Sequence, residues 1–376
     1  MKFIHLSDLH IGKRVNEFSM TEDQKYILDQ ILQIVERQQP DGVIIAGDVY
    51  DKSTPPEEAV RILNDFLCAL AERKTATYII SGNHDSAERL AFGAHLMGGS
   101  GIHICPVYNG TPVKFTMEDI HGKVNIFMLP FIKPAHVRRY FPDAEINSYT
   151  DAVQTAVNNM AVDTSERNII ITHQFVTGAD RSESEEISVG GTDNVDVQVF
   201  APFDYVALGH IHGPQKMTKD TVRYCGTPLK YSFSEASHKK SVTIVNMGEK
   251  GVVDISTVPL TPLRDMRIIR DSYEQITHRA NYENTATEDY IQIVLTDEED
   301  IPDAISRLRI IYPNIMQLRY DNRRTRTKTE IGGATDVDRR TLLDLFSEFY
   351  EKQNNQPLSD RQQDFMAQLI ESIWEE

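Results

Sequence analysis

Seven side chains of the kinds that hold divalent ions lie in five short motifs: Asp8 and His10 in LSDLH, Asp48 in AGDVYD, Asn83 in SGNHD, His173 in NIIITH, and His210 and His212 in LGHIH. Carboxylate, amide and imidazole donors without sulfur suit Mn²⁺ or Fe²⁺, accommodate Mg²⁺, and disfavour structural zinc. Two such ions, roughly 3.5 to 4 Å apart, can activate water against a phosphate ester. Asp8 and His10 can face the same ion, and Asp48, a carboxylate closing an apolar run, is placed to bridge two. Asn83 offers a neutral oxygen to the second ion, and His173, His210 and His212 complete the shells. His84 follows a ligand but cannot easily reach the same ion as Asn83, which frees it to act as a catalytic imidazole that protonates a departing alkoxide. Asp51 is placed to orient that ring, and Asp85 reads as a structural carboxylate. Any one of these residues alone is commonly a turn or cap residue. Their joint presence, in this order, carries the reading.

Positioning these groups requires strands that stop where the ligands begin. The runs FIHL, GVIIA, TYII, NIII and YVAL each precede a ligand, and in an open α/β sheet such carboxyl ends are where functional loops converge. Between them, apolar residues at helical spacing predict crossover helices over residues 22–38 and 56–73, the second entered through Pro55 and Pro56. Later strands around RYCGTP, KSVTIVNM and GVVDISTVPL read as antiparallel. The expected fold class is α/β: a two-sheet β-sandwich core flanked by helices over residues 1–262. A small α+β capping domain over 263–321 follows, with strands at 266–270, 290–295 and 315–320 and a helix at 302–311. Residues 322–337 read as a polar linker, and 338–376 as a pair of amphipathic helices, the second opened by a capping box of Ser359 and Gln362.

Composition narrows the classes. The 376 residues are 40% hydrophobic and 25% charged, ample for a core and for more than one domain. Cys68, Cys105 and Cys225 lie far apart, which suits a reducing compartment and argues against a thiolate metal site. No apolar run approaches a membrane span, so the expected location is the cytoplasm. A formal net charge of -17 makes binding of this chain alone to an anionic polymer weak, local and salt-sensitive. Lys13, Arg14 and Arg89 flank the site loops as candidate phosphate contacts. The run Arg319, Arg323, Arg324, Arg326 and Lys328 is either a second such contact or a solvated linker. His5 and His103, inside strand-like runs, read as core residues.

Taken together, D-x-H, G-D-x-x-D, G-N-H-D, His173 and G-H-I-H resemble the calcineurin-like metallophosphoesterase superfamily. LSDLHIGK, AGDVYD followed by TPP, YVALGHIHGPQ and YCGTPLKYSF are similar to its branch of bacterial nuclease subunits. The resemblance covers nearly the whole chain. It implies a β-sandwich metallophosphoesterase fold and Mn²⁺-dependent cleavage of DNA at double-stranded ends, hairpins and single strands, in DNA repair, recombination and replication near the nucleoid. It assigns Asp8, His10, Asp48 and His212 to one ion and Asp48, Asn83, His173 and His210 to the other, with His84 catalytic. It also implies an SbcC-type ABC ATPase with a long coiled coil as partner, docked on the terminal helices. By the same resemblance, the helix from Pro56 and a helix over residues 87–97 help form a homodimer within a heterotetramer. The rival expectation keeps the metal chemistry but takes a small phosphodiester or a phosphoprotein as substrate.

Overall fold

The computed structural model describes residues 1–185 and 193–322, together with 343, 346, 347, 350, 358, 359, 361–363, 365–367 and 369. Alternation decides how its strands pack. In Lys2–Leu6, Ile4 and Leu6 face one apolar cluster while Phe3 faces another; in Gly42–Ala46, Val43 and Ile45 split from Ile44 and Ala46 in the same way. Strands apolar on both faces must be covered on both. Here one face meets helices and the other meets a second sheet.

The first sheet runs Val253–Pro259, Ser241–Met247, Lys2–Leu6, Gly42–Ala46, Ala76–Ile80, Ile102–Ile104, with the last four strands mutually parallel and Ser241–Met247 antiparallel to both of its neighbours. The second runs Gln215–Lys216, Val222–Tyr224, Tyr205–Gly209, Arg167–His173, Gly122–Leu129, Val113–Asp119. Phe3, Ile44, Ile80 and Val245 from the first meet Ile126, Met128, Ile169, Ile171 and Ala207 from the second, which is the sandwich core. His5 is buried in that layer, its Nδ1 2.8 Å from the Tyr205 hydroxyl, and burial pushes its pKa down to about 3. Helices Thr21–Gln38 and Glu57–Glu72 cover the outer face of the first sheet, and Tyr149–Asn159 that of the second.

Two local expectations are corrected. The strand in RYCGTP, Val222–Tyr224, is parallel to Tyr205–Gly209 and antiparallel only to the two-residue strand Gln215–Lys216. The segment over residues 87–97 is not one helix but two single turns, Ala87–Leu90 and Ala94–Met97, because Gly93 between them takes a left-handed φ of 74°.

Beyond the sandwich, Met266–Asp271, Tyr290–Leu295 and Ile315–Tyr320 form a wholly parallel three-stranded sheet, with Ala304–Arg309 as a helix of the unit. It has its own core of Ile291, Ile293, Leu295, Leu308 and Ile315. Tyr290 and Arg264 fasten it to the first helix of the sandwich through Asp23, at 2.7 and 2.8 Å. In the tail, the Ser359 N–H donates to Gln362 Oε1 at 3.0 Å, and Gln362 Nε2 donates to the Tyr350 hydroxyl at 3.2 Å. The linker expected at 322–337 lies, beyond Asn322, outside the described residues, as do Leu342, Phe349, Ile370, Ile373 and Trp374 of the expected helix pair. No helix among the described residues is long and apolar enough to cross a membrane.

Candidate metal centre

The five site-bearing strands end on the same edge of the sandwich, and the chain leaves them in unusual conformations. Asp8, His10 and Asp48 have φ of 52°, 44° and 47°, in the left-handed region that Asp and His enter more readily than bulkier residues. Main-chain bonds zip the first two loops together: the Asp8 N–H donates to Gly47 O at 3.0 Å and the His10 N–H to Asp48 O at 2.9 Å. The sheets approach so closely here that a Cβ on Gly209 would lie 1.8 Å from the Ala46 carbonyl oxygen, and between neighbouring loops of the first sheet one on Gly82 would lie 2.1 Å from Asp48 Oδ1. The glycine of GHIH and that of GNHD are therefore spatial requirements of the pocket.

All seven expected ligands come together there and are buried, apart from the half-buried Asn83. Ligand atoms of Asp8, His10 and His212 lie within 4.8 Å of one another, as do those of Asp8, Asp48 and His173. Asn83 Oδ1 is 3.0 Å from His173 Nε2 and 2.9 Å from His210 Nδ1, and His173 Nε2 is 3.3 Å from Asp48 Oδ2. His10 Nε2 faces His212 Nε2 at 3.1 Å. His173 is oriented by the Ala46 carbonyl, 2.8 Å from its Nδ1.

The electrostatics favour a cation. Burial opposes charge on Asp48, yet the imidazoles of His173, His10 and His84 hold its carboxyl well below the usual carboxylate range. Burial raises Asp8 to about 6. Burial also pushes His10 and His210 well below the ordinary imidazole value, so both keep lone pairs. For His173 burial acts against protonation, but Asp48 and then Asp8 outweigh it and raise the pKa to about 9. Buried carboxylates and convergent lone pairs, with no Lys or Arg among the seven, fit divalent ions as the missing counter-charge.

His84 lies beside this cluster. Its ring stands edge-on to His10 at 4.8 Å, its Nε2 is 3.9 Å from Asp48 Oδ2, and its backbone N–H donates to Asp48 Oδ1 at 2.9 Å. The group that orients it is the main-chain carbonyl of Asp51, 3.1 Å from His84 Nδ1. The Asp51 carboxylate, expected in that role, is turned elsewhere: Lys13 Nζ lies 2.6 Å away and His10 Nδ1 3.6 Å. An ammonium closing on it accounts for the difference. Asp85 accepts the N–H groups of Val49, Tyr50 and Gly82 at 3.0, 2.9 and 2.9 Å, a purely structural employment.

The basic candidates are largely occupied. Lys13 is spent on Asp51, Arg89 donates to Ser53 O at 2.7 Å and to the Thr54 hydroxyl, and Arg14 donates to Glu17 O at the tip of its own hairpin. Four neighbours of His212 carry no signal in the sequence. The His212 N–H donates to Glu185 Oε1 at 2.7 Å, Ser184 and Glu235 lie at the His212 ring, and Lys240 Nζ donates to the His212 main-chain carbonyl at 2.9 Å. Glu235 and Lys240 follow YCGTPLKYSF closely in sequence, but a Ser-Glu-rich loop and a lone Glu carry no spacing signal.

Residues 1–214 match the family model for calcineurin-like phosphoesterases, and residues 262–354 that for the type 5 capsule protein repressor C-terminal domain. Among characterised proteins, the chain is similar to the SbcD subunit of the SbcCD nuclease of Staphylococcus epidermidis, 33% identical over 386 aligned positions that cover 99% of each chain. Solved structures show a more distant likeness. A dimetal phosphatase from Danio rerio is 13% identical with a TM-score of 0.38, the match covering 69% of this chain and 99% of that one. TT1561 of Thermus thermophilus is 11% identical with a TM-score of 0.40, covering 68% and 98%.

Proposed function

The chain belongs to the calcineurin-like phosphoesterases and, among them, to the family of SbcD nuclease subunits; from that premise we propose that it is a DNA nuclease using two divalent ions, Mn²⁺ foremost. The observation that carries the reading is the convergence of seven O- and N-donor side chains from five strand ends onto one buried pocket, with an eighth, His84, beside them. Asp8, His10, Asp48 and His212 would hold one ion, and Asp48, Asn83, His173 and His210 the other, with Fe²⁺ or Mg²⁺ as substitutes. Bound there, the pair supplies Lewis acidity and a water of lowered pKa. Asp8 and Asp48 contribute the negative charge that retains the cations. His173, fixed by the Ala46 carbonyl, presents Nε2 inward. His84, fixed through Nδ1 by the Asp51 carbonyl, aims Nε2 into the pocket and holds there the proton that the leaving 3′ or 5′ oxygen takes up. Asp51 acts by its main chain, and Lys13 reinforces the loop; Arg14 and Arg89 are the basic groups nearest in sequence for backbone phosphates.

We assign residues 1–262 to catalysis, 263–321 to a cap, and 338–376, reached through 322–337, to an ABC-type ATPase with a coiled coil. The location that fits is the cytoplasm, at the nucleoid. Phe92, between the two short turns, and Leu96, on the second, are 84% and 82% exposed and suit a second copy of the chain. Light scattering checks both assignments: the chain alone should have twice its sequence mass, and mixing with the ATPase should give a complex that removal of 338–376 abolishes.

The substrate is tested by offering end-labelled duplex and hairpin DNA beside a generic aryl phosphodiester, in Mn²⁺. Cleavage of both DNAs is expected, lost on chelation. Turnover of the aryl ester alone would transfer the assignment to small phosphodiesters.

A further inference from the structure

His84 and His173 are oriented by main-chain carbonyls. His212 differs, because side chains from two separate segments enclose it. Its Nδ1 is 2.7 Å from Ser184 Oγ and 3.4 Å from Glu235 Oε1, and the Ser184 hydroxyl in turn reaches Glu235 Oε1 at 2.5 Å. An ionised carboxylate only accepts. The Ser184 hydrogen therefore goes to Glu235, its oxygen accepts from His212, and the proton of the His212 ring is pinned on Nδ1. The lone pair is left on Nε2, which faces His10 Nε2.

Glu235 is itself clamped. It is fully buried, and Lys240 Nζ meets its Oε2. The same ammonium donates to Thr227 Oγ1 at 2.6 Å and to the His212 carbonyl at 2.9 Å, which uses all three of its hydrogens. Ser184 arrives from the other side. Its loop is tied to the 232–240 segment by the Glu183 N–H donating to Ser234 Oγ at 3.0 Å, and to His212 through Glu185.

Resting on the metal assignment above, we propose that Ser184 and Glu235 are positioning residues that fix the His212 tautomer, and so set the affinity of one ion of the pair without acting on the other. Partners of metal-bound imidazoles typically change affinity by about 10–100-fold. The Glu235–Lys240 pair is too deeply buried to disturb without endangering the fold, so Ser184 is the residue to change. Ser184→Ala leaves that pair intact but removes the link at 2.7 Å, while Ser184→Thr keeps a hydroxyl there.

Calorimetric titration of the full chain with Mn²⁺ reads the result without reference to turnover. Two bound ions are expected for the unaltered protein. In Ser184→Ala, one should weaken by roughly 10–100-fold and the other stay unchanged, with the loss largely restored in Ser184→Thr. Two unchanged affinities in Ser184→Ala, or equal weakening of both, would overturn the positioning role while leaving the metal centre standing. An unaltered chain that takes up no Mn²⁺ would overturn the metal centre and this inference with it.

Discussion

Replacing His84 by glutamine is expected to lower Mn²⁺-dependent cleavage by about 10²–10⁴-fold, the usual contribution of a positioned general acid, while both ions remain bound. The separation follows from where the ring sits. Its Nδ1 is taken by the Asp51 carbonyl and its Nε2 lies 3.9 Å from Asp48 Oδ2, farther than the 3.3 Å of His173 Nε2 from the same oxygen. The backbone N–H that supports Asp48 is untouched by the substitution. Single-turnover cleavage of labelled duplex, with Mn²⁺ content measured on the same sample, checks it. Undiminished turnover with full metal content would remove His84 from the chemistry.

Glu235→Ala should have the largest effect on stability, roughly 3–5 kcal/mol, because it leaves the Lys240 ammonium buried without its counter-ion. Against a total of about 5–15 kcal/mol for an ordinary domain, that brings the sandwich close to unfolding. The side chains are 0% and 5% exposed, so water cannot step in. Replacing both partners by apolar residues, Glu235→Leu with Lys240→Met, should recover much of the loss. Urea unfolding followed by circular dichroism measures both variants. A single variant as stable as the parent would mean that the pair is dispensable.

What the sequence made legible is the part governed by short-range rules. Buried strands in parallel α/β sheets are uninterrupted apolar runs, so FIHL, GVIIA and YVAL announce both their own ends and the ligands after them. The helix over 87–97 is implied by the resemblance alone, and the local signal against it is Gly93, whose left-handed φ breaks the segment into two turns. The residues of RYCGTP mark a strand but not its direction, which is settled by the neighbour it meets, here Tyr205–Gly209. The shell of His212 was invisible for a related reason. Ser184 and Glu235 derive their meaning from a ring brought next to them by the fold, Lys240 from the carboxylate it meets, and nothing in their own neighbourhoods signals it.

The order of strands in the first sheet bears on how the protein is made. Lys2–Leu6 is paired on one side with Gly42–Ala46 and on the other with Ser241–Met247. At ribosomal rates of about 5–20 residues per second, the opening strand waits roughly ten seconds or more for its second neighbour. The pocket likewise lacks donors until translation has passed His212. A half-made chain therefore has no assembled cutting centre, and competence arrives abruptly, late in synthesis.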